Sequence, residues 1–309
     1  MQEKKNKQRL ILLIVLAIAT AGMMWMNMRD VKRVVEKDHF KKYDLKTVDK
    51  VMLLQGSDTV VLTTDGGRWK VNDIYNANGE MIDLLFATMM AAEPRRPVSS
   101  AMNDSIYEQL QVSGVKVSMH AGATVLTTFL AGGNPAKTQA YFASESDKKV
   151  YYMVIPGYRV YVSGIFENPV GGWRTTRVFD FNWQNFQRLV TNFPGNEGNN
   201  FSIEMKDFQV NLIGVNPVDT AKLNTYLDAV SLLTVDQYLS KDPSLDSLLL
   251  LKPLQTLTIS DIGDRKHSLS FYPYGPEGYA GLIDEKDWAF FDRRKVAEIV
   301  HSKDFFKGQ

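Results

Sequence analysis

The chain has 309 residues, 44% hydrophobic and 23% charged, with a formal net charge of +1 and no cysteine. Near-neutral charge gives no reason to expect nucleic acid as a partner. The lack of cysteine excludes disulfides, thiolate catalysis and cysteine-held zinc or iron–sulfur centres.

The first element is an apolar run, Leu10 to Met26, behind a basic tail of Lys4, Lys5, Lys7 and Arg9. At about 1.5 Å per residue this run would span roughly 25 Å, just short of a hydrocarbon core of about 30 Å. Trp25 suits a membrane–water interface. Residues 1–27 are therefore expected to form a membrane anchor: single-pass in the inner membrane, N-terminus inside, with the soluble part in the periplasm. The small-residue pattern Ala19-Thr20-Ala21 supplies the alternative of a cleaved signal peptide and a secreted protein. Residues 28–43 are charged and lack an apolar stripe, which reads as a stalk.

Strands dominate from Asp44. Val51–Leu54, Thr59–Thr63 and Arg68–Val71 read as strands, joined by turns at Gln55-Gly56-Ser57-Asp58 and Asp65-Gly66-Gly67. Met81, Leu84, Leu85, Thr88 and Met89 then mark one face of a helix that Pro94 and Pro97 end. A meander follows: Val115–Met119, Thr124–Leu130, Gln139–Ala143 and Val150–Val154, with Gly132-Gly133 as turn glycines.

The second half repeats this order at a nearly constant offset. Leu189-Val190 match Val51-Met52, and Phe208 and Val210 match Trp69 and Val71. Leu257 and Ile259 match Val115 and Val117, Leu269 and Phe271 match Thr127 and Phe129, and Trp288 and Phe290 match Val150 and Tyr152. Between them, Asn216-Pro217-Val218-Asp219 reads as a helix start with Asn216 as cap, followed by an apolar face of Leu223, Tyr226, Leu227 and Val230. The expected fold is α+β: an N-terminal transmembrane helix, then two similar modules, each an antiparallel sheet with a covering helix. The first module is placed at 44–182 and the second, a repeat of the first, at 183–309.

Several of these features resemble the bacterial envelope family carrying the domain of unknown function 4340. They are the strand ending Gly67-Arg68-Trp69-Lys70-Val71, the asparagine-rich approach to a helix at Glu80–Met90, the pair Val150-Tyr151-Tyr152, and the stretch Gly172-Trp173-Arg174-Thr175-Thr176-Arg177-Val178-Phe179. The resemblance covers roughly 44–195 and, more weakly, 196–306. It implies an accessory envelope role beside ABC-type exporter components, including the gliding-associated transporter of Bacteroidota. It brings no catalytic residues.

Residue chemistry points the same way. His39, His120, His267 and His301 show no metal-binding spacing, and no nucleophile elbow, phosphate loop or dinucleotide fingerprint occurs. No catalytic residue, metal or cofactor is expected. Two segments stand out. Trp173, Arg174 and Arg177 place two guanidinium forks beside an indole, which suits an anionic group. The bland reading pairs those arginines with an acid such as Asp180 and buries Trp173. Tyr272, Tyr274 and Tyr279 flank a Pro/Gly-rich segment and suit protein or glycan contact if exposed. The bland reading packs them on their own sheet.

The functional expectation is a membrane-anchored, exported, non-enzymatic protein. It would bind or scaffold an envelope component, with an ABC transporter or gliding-associated protein as partner. The alternative is a glycan- or lipid-binding module using a cleft between modules with Trp173, Arg174 and Arg177; a hydrolase ranks below both.

Overall fold

The computed structural model describes residues 13–23, 36–41, 43–179, 181–182, 184–206, 209–240 and 242–308. Residues 13–23 are helical and exposed. Among the described residues no helix is long and apolar enough to cross a membrane. The remainder of the Leu10–Met26 run, and residues 28–35 of the expected stalk, lie outside the described residues.

Two antiparallel sheets make up an α+β fold. The first contains β1 (Lys50–Gln55), β2 (Asp58–Asp65), β3 (Arg68–Val71), β4 (Tyr75–Asn76), β5 (Glu93–Pro97), β6 (Val115–Ala121), β7 (Thr124–Gly133), β8 (Ala140–Ser144) and β9 (Val150–Val154). Its order is β4-β3-β2-β1-β6-β7-β8-β9-β5. The second contains β10 (Phe186–Asn192), β11 (Phe201–Lys206), β12 (Gln209–Ile213), β13 (Gln237–Tyr238), β14 (Gln255–Asp261), β15 (Lys266–Tyr274), β16 (Gly278–Ile283) and β17 (Asp287–Asp292). Its order is β12-β11-β10-β14-β15-β16-β17-β13. Setting β1 against β10 and β6 against β14 brings the two orders into correspondence, with β4 as the one addition.

By contacts the chain divides into two compact units. The first holds residues up to Val61 together with Asp83–Glu167, and the second holds Leu62–Ile82 together with Asn168 onward. This differs from the sequence expectation of a break at 182. Residues 168–178 carry no long strand of their own and instead join partners in the second unit. Arg174 bridges to Ala77 and Arg177 bridges to Thr234.

In the first unit the sheet is buried on both faces. Successive strand residues point to opposite sides, and Phe129 and Leu130 are both buried. Phe129 stacks on Phe142 at 4.7 Å, and Phe166 meets both edge-on. Phe40 joins this aromatic group, edge-to-face with Phe129 at 5.5 Å and Phe142 at 5.4 Å. The C-terminal end of the expected stalk is therefore core. A charged surface disguised it, because one aromatic suffices to anchor a turn.

The opposite face of the same sheet is covered by α2 (Ser100–Ser113), which seats Ile106, Tyr107 and Leu110 on Leu130, Tyr141, Ala143 and Val150. Sequence reading missed this helix; its three buried residues are diluted among polar ones. It also missed β5, where Pro94 and Pro97 sit in an edge strand instead of merely ending a helix. The preceding α1 (Gly79–Ala91) buries Ile82, Leu85, Thr88 and Met89, whereas Leu84, expected on the inner face, is 51% exposed.

The second unit repeats the scheme. α3 (Thr220–Ser231) buries Leu223, Tyr226, Leu227 and Val230, as expected from its spacing. Its cap is Asp219 and not Asn216. The Asp219 carboxylate accepts from the Ala221 and Lys222 amides, while Val218 is still extended and bridged to Lys307. That satisfies two of the donors a helix start leaves open. On the other face, α4 (Pro243–Leu248) lays Leu245 over Tyr272, Ala280 and Trp288.

Candidate functional site

The arginine segment forms a closed lock in the second unit. The single helical turn Val170–Trp173 buries Trp173 completely, and its indole N–H donates to the Asn168 carbonyl at 3.2 Å. The Trp173 carbonyl accepts from the Asn78 amide at 2.8 Å. Arg174 then extends its guanidinium between two rings, 3.5 Å from the Tyr75 centroid and 3.7 Å from that of Tyr238. Its two terminal nitrogens donate to the Asp287 carboxylate at 3.4 and 3.0 Å. Tyr75 donates to the same carboxylate, and Tyr238 donates to the Thr175 carbonyl at 2.8 Å. Burial raises the Tyr238 phenol above its ordinary pKa, with Arg174 acting in the opposite direction. A stacked, bidentate guanidinium with 12% exposure has little left for a ligand. The acid it meets is Asp287, 113 residues away; the Asp180 of the sequence reading lies outside the described residues. Arg177 is exposed, with its backbone in the bridge to Thr234.

The three tyrosines are strand residues. β15 continues through Tyr274, and only Gly275, Pro276 and Glu277 turn the chain before β16. Tyr272 is buried and meets Trp288 edge-on at 5.4 Å; burial raises its pKa. Tyr274 packs on the same group under α4, and Tyr279 packs partly buried on the main core of the unit. A Pro/Gly-rich stretch reads as a loop, but here the turn is tight enough to leave all three rings on the sheet.

The histidines stay apart. His39 lies 4.8 Å from the Phe40 ring, His120 is on β6, and His301 stacks on Phe305 at 3.9 Å. His267 Nδ1 lies 3.0 Å from Asp284. Among the described residues no group of three histidine or acidic side chains is placed to hold a metal ion.

Two cavities are lined by other residues. One, of about 570 Å³, lies in the first unit. Arg95 and Arg96 of β5, Lys137, Arg159 and the rings of Tyr152 and Tyr161 line it, with Tyr158 at its edge. Two adjacent strand residues normally face opposite sides. A bulge in the β5–β9 pairing between Pro94 and Arg96 lets Arg95 and Arg96 line one space. Ile155-Pro156-Gly157-Tyr158 is a tight turn closed by Tyr158 N–H to the Ile155 carbonyl, with Gly157 at φ +84°, which returns Arg159 to the end of β9.

The wall opposite is fixed by Gly133. Expected in a turn, Gly132-Gly133 instead extends β7. A Cβ on Gly133 would fall 2.3 Å from the Gln139 carbonyl and 2.4 Å from the Tyr161 ring, so only glycine admits this approach. Tyr161 donates to Glu167, which also pairs with Lys137 at 2.7 Å. Burial, then the bond to Glu167, raises the Tyr161 pKa. None of this cavity was legible as a site, because its cations are scattered over 65 residues and converge only through the bulge and the turn.

The second cavity, of about 540 Å³, lies in the second unit and is lined in part by Phe193, Pro194, Lys252, Pro253 and Leu254. Beside it the chain leaves α4 through a hydrogen-bonded turn. The amides of Leu249, Leu250 and Leu251 bond back to Asp246, Ser247 and Leu248. Those three leucines are 52%, 89% and 53% exposed, and Leu254 follows at 39%.

Two antiparallel sheets with corresponding strand orders, both carrying helices, define the class of the protein. Residues 69–253, more than half of the chain, match the family described as Domain of unknown function (DUF4340), and the chain belongs to that family. No curated protein and no solved structure matches it.

Proposed function

We propose that this protein is a non-enzymatic binding component of the cell envelope. Leu10–Met26 holds it at the inner membrane, its two units stand in the periplasm, and it docks on another envelope protein, with an ABC-type exporter as the partner class. The observation that carries the docking is the leucine turn after α4. Single exposed leucines are ordinary, but three consecutive ones on a hydrogen-bonded turn, with Leu254 beside them, are a contiguous apolar patch of the kind that marks protein contact. The turn fixes the backbone that carries these side chains before contact, which lowers the ordering entropy that opposes docking. The common strand order of the two sheets also supports descent from one duplicated module.

The test is crosslinking of the full chain in its native membrane, followed by recovery of partners from detergent. The variant Leu249→Ser/Leu250→Ser/Leu251→Ser should fold as wild type and lose the transporter component. Equal recovery by both proteins would overturn the docking site, and recovery of no transporter component by the wild type would overturn the partner class.

A further inference from the structure

We propose that the cavity of the first unit is a binding site for a phosphate ester, with Arg95, Arg96 and Arg159 as its anion-holding residues. The reasoning starts from charge. Four cationic side chains line the cavity and no carboxylate does. Lys137 is already neutralised by Glu167 at 2.7 Å. Among the described residues Arg95 and Arg159 have no ion-pair partner, and Arg96 rests over the Tyr152 ring at 4.4 Å without one. Three like charges around one concave space make its potential positive, which favours an anion there even though solvent screens part of the repulsion. The bulge in β5 and the turn after β9 bring the three arginines, all exposed to solvent, to one cavity, where an anion would meet them together.

The class of ligand follows from the same geometry. One carboxylate carries a single charge, whereas a phosphoryl group offers up to two charges and several acceptor oxygens to match guanidinium forks. The space is larger than bare phosphate needs: cavities of roughly 300–1,000 Å³ take ligands of sugar or headgroup size and above. The exposed Tyr158 supplies a ring and a hydroxyl for the organic part of such an ester, and the Tyr161 ring supplies apolar wall while its hydroxyl stays on Glu167. Gly133 keeps the Tyr161 wall close. This site is separate from the leucine turn, and neither proposal needs the other.

The phosphoryl group could belong to a free metabolite or to a lipid headgroup, and the experiment distinguishes them. The full chain in detergent is titrated calorimetrically with inorganic pyrophosphate, with dihexanoyl phosphatidylglycerol, and with dihexanoyl phosphatidylcholine as the zwitterionic comparison. Binding of pyrophosphate alone assigns a free phosphate compound; binding of the glycerol headgroup above the choline one assigns a lipid. In either case Arg95→Ala/Arg159→Ala should weaken the affinity at least ten-fold, and Arg96→Lys should weaken it less. Lys266→Ala/Lys286→Ala, in the second unit, should leave it unchanged. Absence of binding to every probe overturns the proposal. So does equal binding of the two lipids without pyrophosphate binding, or an affinity that the arginine pair does not change.

Discussion

The carboxylate of Asp287 receives the guanidinium of Arg174 on both its oxygens, at 3.4 and 3.0 Å. The pair joins the segment after Trp173 to β17, and Tyr75 and Tyr238 close over both faces of the guanidinium. Removing one member of this partly buried pair leaves the other charge partly desolvated and alone. Arg174→Ala and Asp287→Ala should each cost about 3 kcal/mol in chemical denaturation of the second unit. Arg174→Lys should recover only part of this, because an ammonium can neither fork nor stack. A double-mutant cycle showing no coupling would remove the pair from the account of stability.

Phe40 gives the sharpest contrast between a stalk and a core. An exposed linker residue can be truncated within about 0.5 kcal/mol. Phe40 is 6% exposed and touches Phe129 and Phe142, so Phe40→Ala should destabilise the first unit by about 3 kcal/mol. Denaturant midpoints of the two proteins decide the matter.

Close packing around Gly281 predicts a steric effect. A Cβ there would lie 2.4 Å from the Phe291 ring and 2.9 Å from Leu269. Gly281→Ala should therefore lower stability by about 1–3 kcal/mol through overpacking. Gly195→Ala, with nothing within 4 Å of the new carbon, should leave the melting temperature nearly unchanged.

His267 and Asp284 make stability depend on pH. The hydrogen bond to Asp284 raises the His267 pKa above its ordinary 6.5. A raised histidine stabilises the fold below its unfolded pKa, and this contribution is lost as pH rises through the folded value. Burial opposes ionisation of Asp284, but bonds from His267 and the Ser268 amide outweigh it and lower its pKa below 3.8. That contribution is present above 3.8 and lost as pH falls through the folded value. The pair should therefore help most between about pH 4 and 6.5. With both side chains 40% exposed, the effect should stay within about 1 kcal/mol. The stability difference between wild type and His267→Asn should shrink from pH 5.5 to pH 8, and a constant difference would contradict the pairing.

The strand-and-helix order was legible wherever apolar periodicity was uninterrupted. Val51, Val115, Leu257 and Leu269 were placed on the correct strands, and all four inner-face residues of α3 are buried. Reading failed where burial came from a second covering layer. β8 is buried on both faces because α2 lies over it, and α2 itself shows only a sparse stripe. The arginines of the Trp173 segment were visible as chemistry, but their acid is distant in sequence and no local pattern reveals it. The cationic cavity was invisible for a related reason: a β-bulge leaves no signature in composition, and only its register shift brings Arg95 and Arg96 to one space.

Strand β5 forms the border of its sheet and carries Pro94 and Pro97, neither of which has an amide hydrogen to offer. A neighbouring strand laid along this short rim would find no donor at two of its five positions, which disfavours edge-to-edge pairing. The same border bears Arg95 and Arg96, so the mouth they guard stays unpaved by further copies even where the protein is crowded along a surface.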